Sequence, residues 1–278
     1  MDLLRRNVES QKPLSKDQFS RQRKVLATGV ALIAVFGALA VILYGSPTSS
    51  GVHSHSIPGI AVSDGLVGFW PCSNAITPTT GSVGDLTGNG NNGTQVNSRV
   101  NATLNIGVAC SFDRDVKQYI ALPPIQVGFP TGDSPRSFFS WIKSTDMNDT
   151  LVIFSYGTGG ARQFVILNLN QDGPNTLHFS SNTNDCGITN ATLENGKWHL
   201  VGFTYSGSGN LILYVDGIAS SCHLPEDLNT VLSGTANIGS SVSLGNPSYF
   251  SGQIAQIRLY SRTLAQSEIS ELYSAPPG

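Results

Sequence analysis

The chain has 278 residues, of which 12% are charged and 30 are glycine, and its formal net charge is −2. Few charges beside many Gly, Ser, Thr and Asn argue against a helical cytosolic protein and for a β-rich, turn-rich, secreted-type domain. The charge is divided unevenly: residues 1–24 carry seven Lys or Arg against three acids, and everything after residue 45 carries nine against fifteen, which makes nucleic acid a poor partner for the larger, acidic part.

Residues 1–24 are polar and basic with no lasting apolar period, as expected of a flexible cytoplasmic tail. Val25 to Tyr44 is a run of twenty residues without a charge. As a helix rising about 1.5 Å per residue it spans the roughly 30 Å hydrocarbon layer of a bilayer. A cleaved signal peptide is the competing reading, but its apolar core is usually only about 7–15 residues, and Ala38-Leu39-Ala40, the A-x-A triplet here, lies inside the run. A pilin-like processing signal is a third reading, and no distinctive motif supports it. Residues 25–45 are therefore expected to be an uncleaved signal-anchor helix in the cell membrane. Arg21, Arg23 and Lys24 abut one end and the next basic residue is Arg99, so the N-terminus is expected inside and the rest outside. Residues 46–63 mix Ser, Pro, Gly and His and read as a linker; His53 and His55 are taken as solvated side chains.

The extracellular domain is expected over residues 64–274. Gly65-Leu-Val-Gly-Phe-Trp-Pro opens it, followed by a turn-rich loop from Asp85 to Gly93. Short strands are expected at 108–113, 119–122, 137–143, 151–156, 164–169, 177–180, 235–239 and 253–260, separated by Gly, Asn or Asp. Trp198 to Ala219 is the organising stretch: two β-branched and aromatic runs flank Ser206-Gly-Ser-Gly-Asn210, a hairpin pattern, and Asp216-Gly217 supplies a second tight turn. Leu211, Leu213 and Val215 alternate with Ile212 and Tyr214, so this run is apolar on both faces and belongs inside a layered structure. A short helix closes the chain, with Thr263 and Gln266 as a capping box and Ala265, Ile269 and Leu272 as its apolar face.

Taken together and in order, these segments resemble the laminin-G-like, concanavalin-A-like lectin/glucanase jelly-roll superfamily. The pieces that carry the resemblance are Gly65–Pro71, Asp85–Gly93, Ser111-Phe-Asp, Phe139–Lys143, Trp198-His, Leu213–Gly217 and Phe250–Leu264. The resemblance implies an all-β, antiparallel two-sheet jelly-roll sandwich that binds glycans or proteins, with hydrolysis confined to a minority of relatives. It also implies a calcium site, for which Asp85, Asn89 and Asn91 are the candidate ligands. Ala255 and Gln256 stand where the family usually completes that site with acids, which puts the ion in doubt and leaves an Asn/Gly turn held by Asx hydrogen bonds as the competing reading.

Glucanases on this fold carry two carboxylates on one strand as Glu-x-Asp-x-x-Glu, where alternation puts positions i and i+2 on the same face. No stretch here has that spacing: Glu226 and Asp227 are adjacent, and Glu268 and Glu271 fit the solvated side of the terminal helix. No nucleophile elbow or metal-ligating His spacing is present either, and the chain is expected not to be an enzyme.

Cys72, Cys110, Cys186 and Cys222 form an even set, read as two disulfides with three possible pairings. The resemblance places Cys72 and Cys110 in core strands and so favours 72–110 with 186–222. Asn92, Asn101, Asn148 and Asn190 head glycosylation sequons, each in an expected loop. Trp70, Trp141 and Trp198 match scaffold positions of the family, which leaves Tyr156 and Tyr249, near loops, as candidate sugar platforms. The reading is a membrane-anchored extracellular recognition domain for glycan binding or adhesion; a structural filament or envelope head is the alternative, and a polysaccharide hydrolase a lesser one.

Overall fold

The computed structural model describes residues 60–72, 76–77, 81–97, 109–146, 149–232, 234–241 and 247–277. The expected tail, anchor helix and most of the linker lie outside the described residues, as do Asn101 and Asn148. Among the described residues no helix is long and apolar enough to cross a membrane.

The chain enters through β1 (Leu66–Trp70), two two-residue strands, β2 (Ile76–Thr77) and β3 (Ser82–Val83), and β4 (Gly93–Val96). It continues through β5 (Cys110–Phe112), β6 (Tyr119–Ala121), β7 (Arg136–Lys143), β8 (Leu151–Gly157), β9 (Phe164–Leu169), β10 (Leu177–Ser180) and β11 (Cys186–Ile188). The central hairpin is β12 (His199–Tyr205) and β13 (Asn210–Val215), and β14 (Ile218–His223), β15 (Ala236–Ile238), β16 (Gly252–Tyr260) and helix α1 (Gln266–Tyr273) complete the domain. Two antiparallel sheets result. One runs β1-β16-β7-β12-β13-β14 with β5 added on β16; the other runs β11-β10-β9-β8-β15-β6-β4-β3-β2.

Strand alternation sends Phe138, Ile142, Val201, Phe203, Leu211, Leu213, Ile257 and Leu259 from the seven-stranded sheet into the layer between the sheets. Phe154, Tyr156, Val165, Leu167, Leu177 and Phe179 meet them from the nine-stranded sheet. The Phe138 and Phe154 rings stack across this layer at 4.5 Å. The opposite faces of β7, β12, β13 and β16 are also buried, because Leu264 and the helix residues Ile269 and Leu272 cover Phe139, Trp141, Leu200, Tyr214 and Tyr260. This second cover explains why the central runs are apolar on both faces. It also explains Gly202 on β12: a Cβ there would lie 2.3 Å from the Phe138 carbonyl oxygen and 2.4 Å from the Phe139 ring.

The hairpin pairs Val201 with Val215 and Tyr205 with Leu211. Asp216 (φ 52°) and Gly217 (φ 79°) then make the tight turn into β14, with both φ positive as a type I′ turn demands. Beyond Ala219 the strand continues through Ser220, Ser221 and Cys222 as the exposed edge of the sheet. Its polar composition hides it in the sequence, and that polarity suits an edge strand, which must not invite further pairing.

The expected capping box is corrected. Ala265, not Thr263, is the N-cap residue, and Glu268 Oε2 accepts its backbone N–H at 2.8 Å. The Thr263 hydroxyl donates instead to the Tyr205 carbonyl, and exposed Ala265 gives its place on the apolar face to Leu264. Glu268 is no freely solvated acid: Arg262 grips it at 2.5 and 2.8 Å.

Cys72 pairs with Cys110 and Cys186 with Cys222. The first bridge fastens the end of β1 to β5, and the second joins the edges of the two sheets.

Candidate functional site

The Asp85 loop, between β3 and β4, is a brace. Asp85 Oδ1 accepts from the Phe69 and Thr87 backbone N–H groups, each at 3.0 Å, and Oδ2 accepts from the Asn91 N–H at 3.1 Å. The Thr87 hydroxyl adds a further donor at 2.8 Å. Asn91 is fully buried; its amide donates to the Val67 and Val127 carbonyls while its Oδ1 accepts from the Val127 N–H. The Asn91 carbonyl receives the Trp70 indole N–H at 2.8 Å, and the Asn89 amide donates to the Val67 carbonyl. The carboxylate and the Asn91 oxygen therefore face N–H and O–H donors, and the three side chains do not present the open set of oxygens that a calcium ion takes. Ala255 is fully buried beneath the covering layer, and Gln256 sits in a bulge of β16 with φ 48°.

A second set of residues does form a cleft. Arg114, Asp115, Asp149, Thr150, Pro247, Ser248 and Tyr249 line a space of about 360 Å³. They come from the turn between β5 and β6, the loop between β7 and β8, and the segment preceding β16. Arg114 is held by Asp146 at 3.1 Å and Asp149 at 2.6 Å. These carboxylates thereby pin the guanidinium against one wall. The half-buried Tyr249 ring lies 6.1 Å from the Tyr119 ring, tilted by 45° to it. An aromatic surface beside fixed charges and hydroxyls is the combination that grips a sugar ring: the ring face packs on the C–H groups and the polar groups take the hydroxyls.

Of the two tyrosines expected as platforms, only Tyr249 is available. Tyr156 is fully buried between the sheets, donating to the Pro130 carbonyl and accepting from Arg136, and burial raises its phenol pKa. Trp70 and Trp141 are buried, whereas Trp198 is partly exposed, with the Lys143 ammonium 6.0 Å from its ring. Glu226 pairs with Arg162 at 3.0 Å. Among the described residues no three His, Cys, Asp or Glu side chains group to hold a metal. Asn92 and Asn190 are exposed, and Asn92 Oδ1 also accepts the Asp85 N–H. Arg114, Asp146 and Asp149 escaped the sequence reading because their meeting depends on which loops the topology brings to one end.

Two stacked antiparallel sheets with a cleft built from loops define a jelly-roll sandwich domain. The family model of the concanavalin A-like lectin/glucanases superfamily, Laminin_G_3, matches residues 114–270, more than half of the chain, and the chain belongs to that superfamily. A comparison with curated protein sequences finds no match. Among solved structures it is similar to domain 4 of AbnA, an extracellular GH43 arabinanase from Geobacillus stearothermophilus, in complex with arabinotriose. That match has 18% identity and a TM-score of 0.53, and covers 75% of this chain and 98% of the other. The binding domain of botulinum neurotoxin DC is also similar. In complex with rat synaptotagmin II it shows 14% identity and a TM-score of 0.53 over 76% of this chain; in complex with SialylT it shows 15% and 0.53 over 76%. This chain spans about half the length of those toxin domains, at 51% of each. At these identities the likeness is one of fold.

Proposed function

We propose that the protein is a membrane-anchored, non-catalytic recognition domain that binds glycans in the cleft at Tyr249. The observation that carries this reading is the half-buried Tyr249 ring, close to Tyr119 and set beside Arg114, Asp149, Thr150 and Ser248. The complexes with arabinotriose and SialylT in domains of similar fold support it. In this reading residues 25–45 anchor the chain in the cell membrane with the domain outside, and Asn92 and Asn190 are accessible to glycosylation. The synaptotagmin complex of a similar domain favours a second reading, a protein ligand.

The test is a glycan array, including arabino-oligosaccharides and sialylated glycans, probed with the full chain in detergent and with Tyr249→Ala. Binding that Tyr249→Ala reduces at least tenfold supports the cleft. Binding indifferent to Tyr249 sinks it, and an array without any binding moves the reading to a protein ligand.

A further inference from the structure

The charges on the cleft wall do not balance. Of the residues that line it, Arg114, Asp115 and Asp149 are charged, whereas the rest, Tyr249 among them, are not. Arg114 Nη1 lies 2.6 Å from Asp149 Oδ2 and its Nε lies 3.8 Å from Asp115 Oδ1, so two lining carboxylates stand against one guanidinium. The acids are also the more open members of the group. The side chains of Asp115 and Asp149 are 90% and 66% exposed, against 26% for Arg114. The more buried Asp146 carboxylate holds the same Nη1 at 3.1 Å. Asp113 and Lys117, the other charged residues of the β5–β6 turn, are one acid and one base and leave the excess as it is.

A ligand meets this arrangement through its own charge. A guanidinium binds a carboxylate best through two parallel N–H donors, but Arg114 already gives Nη1 to carboxylates of its own chain. A sugar acid entering the cleft would meet the open carboxylates of Asp115 and Asp149, and like charges side by side are unfavourable. An uncharged sugar instead offers O–H groups, which donate to a carboxylate in strong, charge-assisted hydrogen bonds. The same two acids repel one class of glycan and grip the other.

We propose that Asp115 and Asp149 make the cleft selective for uncharged glycans and exclude those that carry a carboxylate, such as sialic and uronic acids. This selectivity rests on the reading of the cleft as a glycan site and adds to it the class of glycan that fits.

The experiment compares matched pairs on an array probed with the full chain in detergent: each glycan with and without a terminal sialic acid, and each arabino-oligosaccharide with and without a uronic acid. Salt is set at about 10 mM and about 1 M, where the screening length is about 30 Å and about 3 Å. At low salt the native protein is expected to bind the uncharged member about tenfold more strongly, with the gap narrowing at high salt. Asp115→Asn and Asp149→Asn are each expected to narrow the low-salt gap. The ratio within a pair is the readout, because a general loss of affinity or of folded protein does not move it. Asp115→Asn, at the more exposed site, keeps the test open should Asp149→Asn loosen its loop. Equal binding of a pair at low salt, or stronger binding of the acidic member, overturns the selectivity and leaves the glycan reading standing. A gap that neither variant narrows overturns the role of these two acids. Binding of neither member, or binding that Tyr249→Ala leaves unchanged, overturns the glycan reading and the selectivity with it.

Discussion

Cys186 on β11 and Cys222 on β14 tie the outermost strand of the nine-stranded sheet to the outermost strand of the seven-stranded sheet, their Cα atoms 6.4 Å apart. The bridge closes one side of the sandwich, where two edge strands would otherwise be free to separate.

Removing this bridge should loosen that side. The closed loop spans 36 residues of sequence separation, and chain-entropy reasoning assigns about 3–4 kcal/mol to a loop of that length. Cys186→Ser with Cys222→Ser is expected to lower the unfolding free energy by that order in a denaturant titration. A loss below about 1 kcal/mol would show that the sheet edges hold without it.

Arg136 is fully buried and makes no ion pair among the described residues. Its guanidinium donates to the Ser134, Pro130, Thr131 and Gly132 carbonyls, the Tyr156 phenol and the Thr230 hydroxyl. Arg136→Met leaves these acceptors buried and unpaired, so a loss of roughly 3 kcal/mol or more is expected. Arg162→Met, at a more exposed ion pair with Glu226, should cost less than about 1 kcal/mol. Equal losses in the two variants would refute the role given to Arg136.

Asp85→Ala should destabilise the domain by about 3 kcal/mol, since bonds to a carboxylate are each worth roughly 1.5–3 kcal/mol and Phe69 loses its acceptor. Because that carboxylate is engaged by N–H and O–H donors, the loss should be the same in calcium and in EGTA. A loss seen only in calcium would restore this loop as an ion site.

Glu268 has its pKa lowered, first by its hydrogen bond to Arg262. A carboxyl group depressed in the folded state stabilises above its unfolded value of 4.5, and that contribution disappears as pH falls through the folded value. The native protein should therefore exceed Glu268→Gln in stability at pH 7, by less than about 1 kcal/mol at this partly exposed site. The gap should narrow as pH falls below 4.5, and thermal unfolding from pH 7 to pH 3 measures it; a gap that does not narrow over that range would assign the effect to helix capping alone.

Much of this domain can be read from its residues in order. Runs such as Phe164–Leu169 and Leu211–Val215 announce strands because β-branched and aromatic side chains suit a pleated, buried surface. Asp216-Gly217 announces its turn because two successive positive φ values are easiest for that pair. Strands with polar faces are harder to see. Gly93–Val96, Cys186–Ile188 and Ile218–His223 lack a sustained run of β-branched and aromatic residues, so no local pattern marks them, although β11 and β14 pair with the strands that immediately precede them.

The sequence by itself determined the alternation of strand and turn, the burial of both faces of the central hairpin, and the set of four cysteines available for bridging. Only the tertiary structure decided which chemistry those strands support. Tyr156 and Tyr249 both lie close to loops, yet one points between the sheets onto Arg136 and the other lies beside Tyr119 at the cleft. Arg114 meets Asp149 through loops brought together by the pairing of β16 with both β5 and β7. Local pattern records how deeply a side chain is buried, whereas its partner is set by the order in which strands join the sheet.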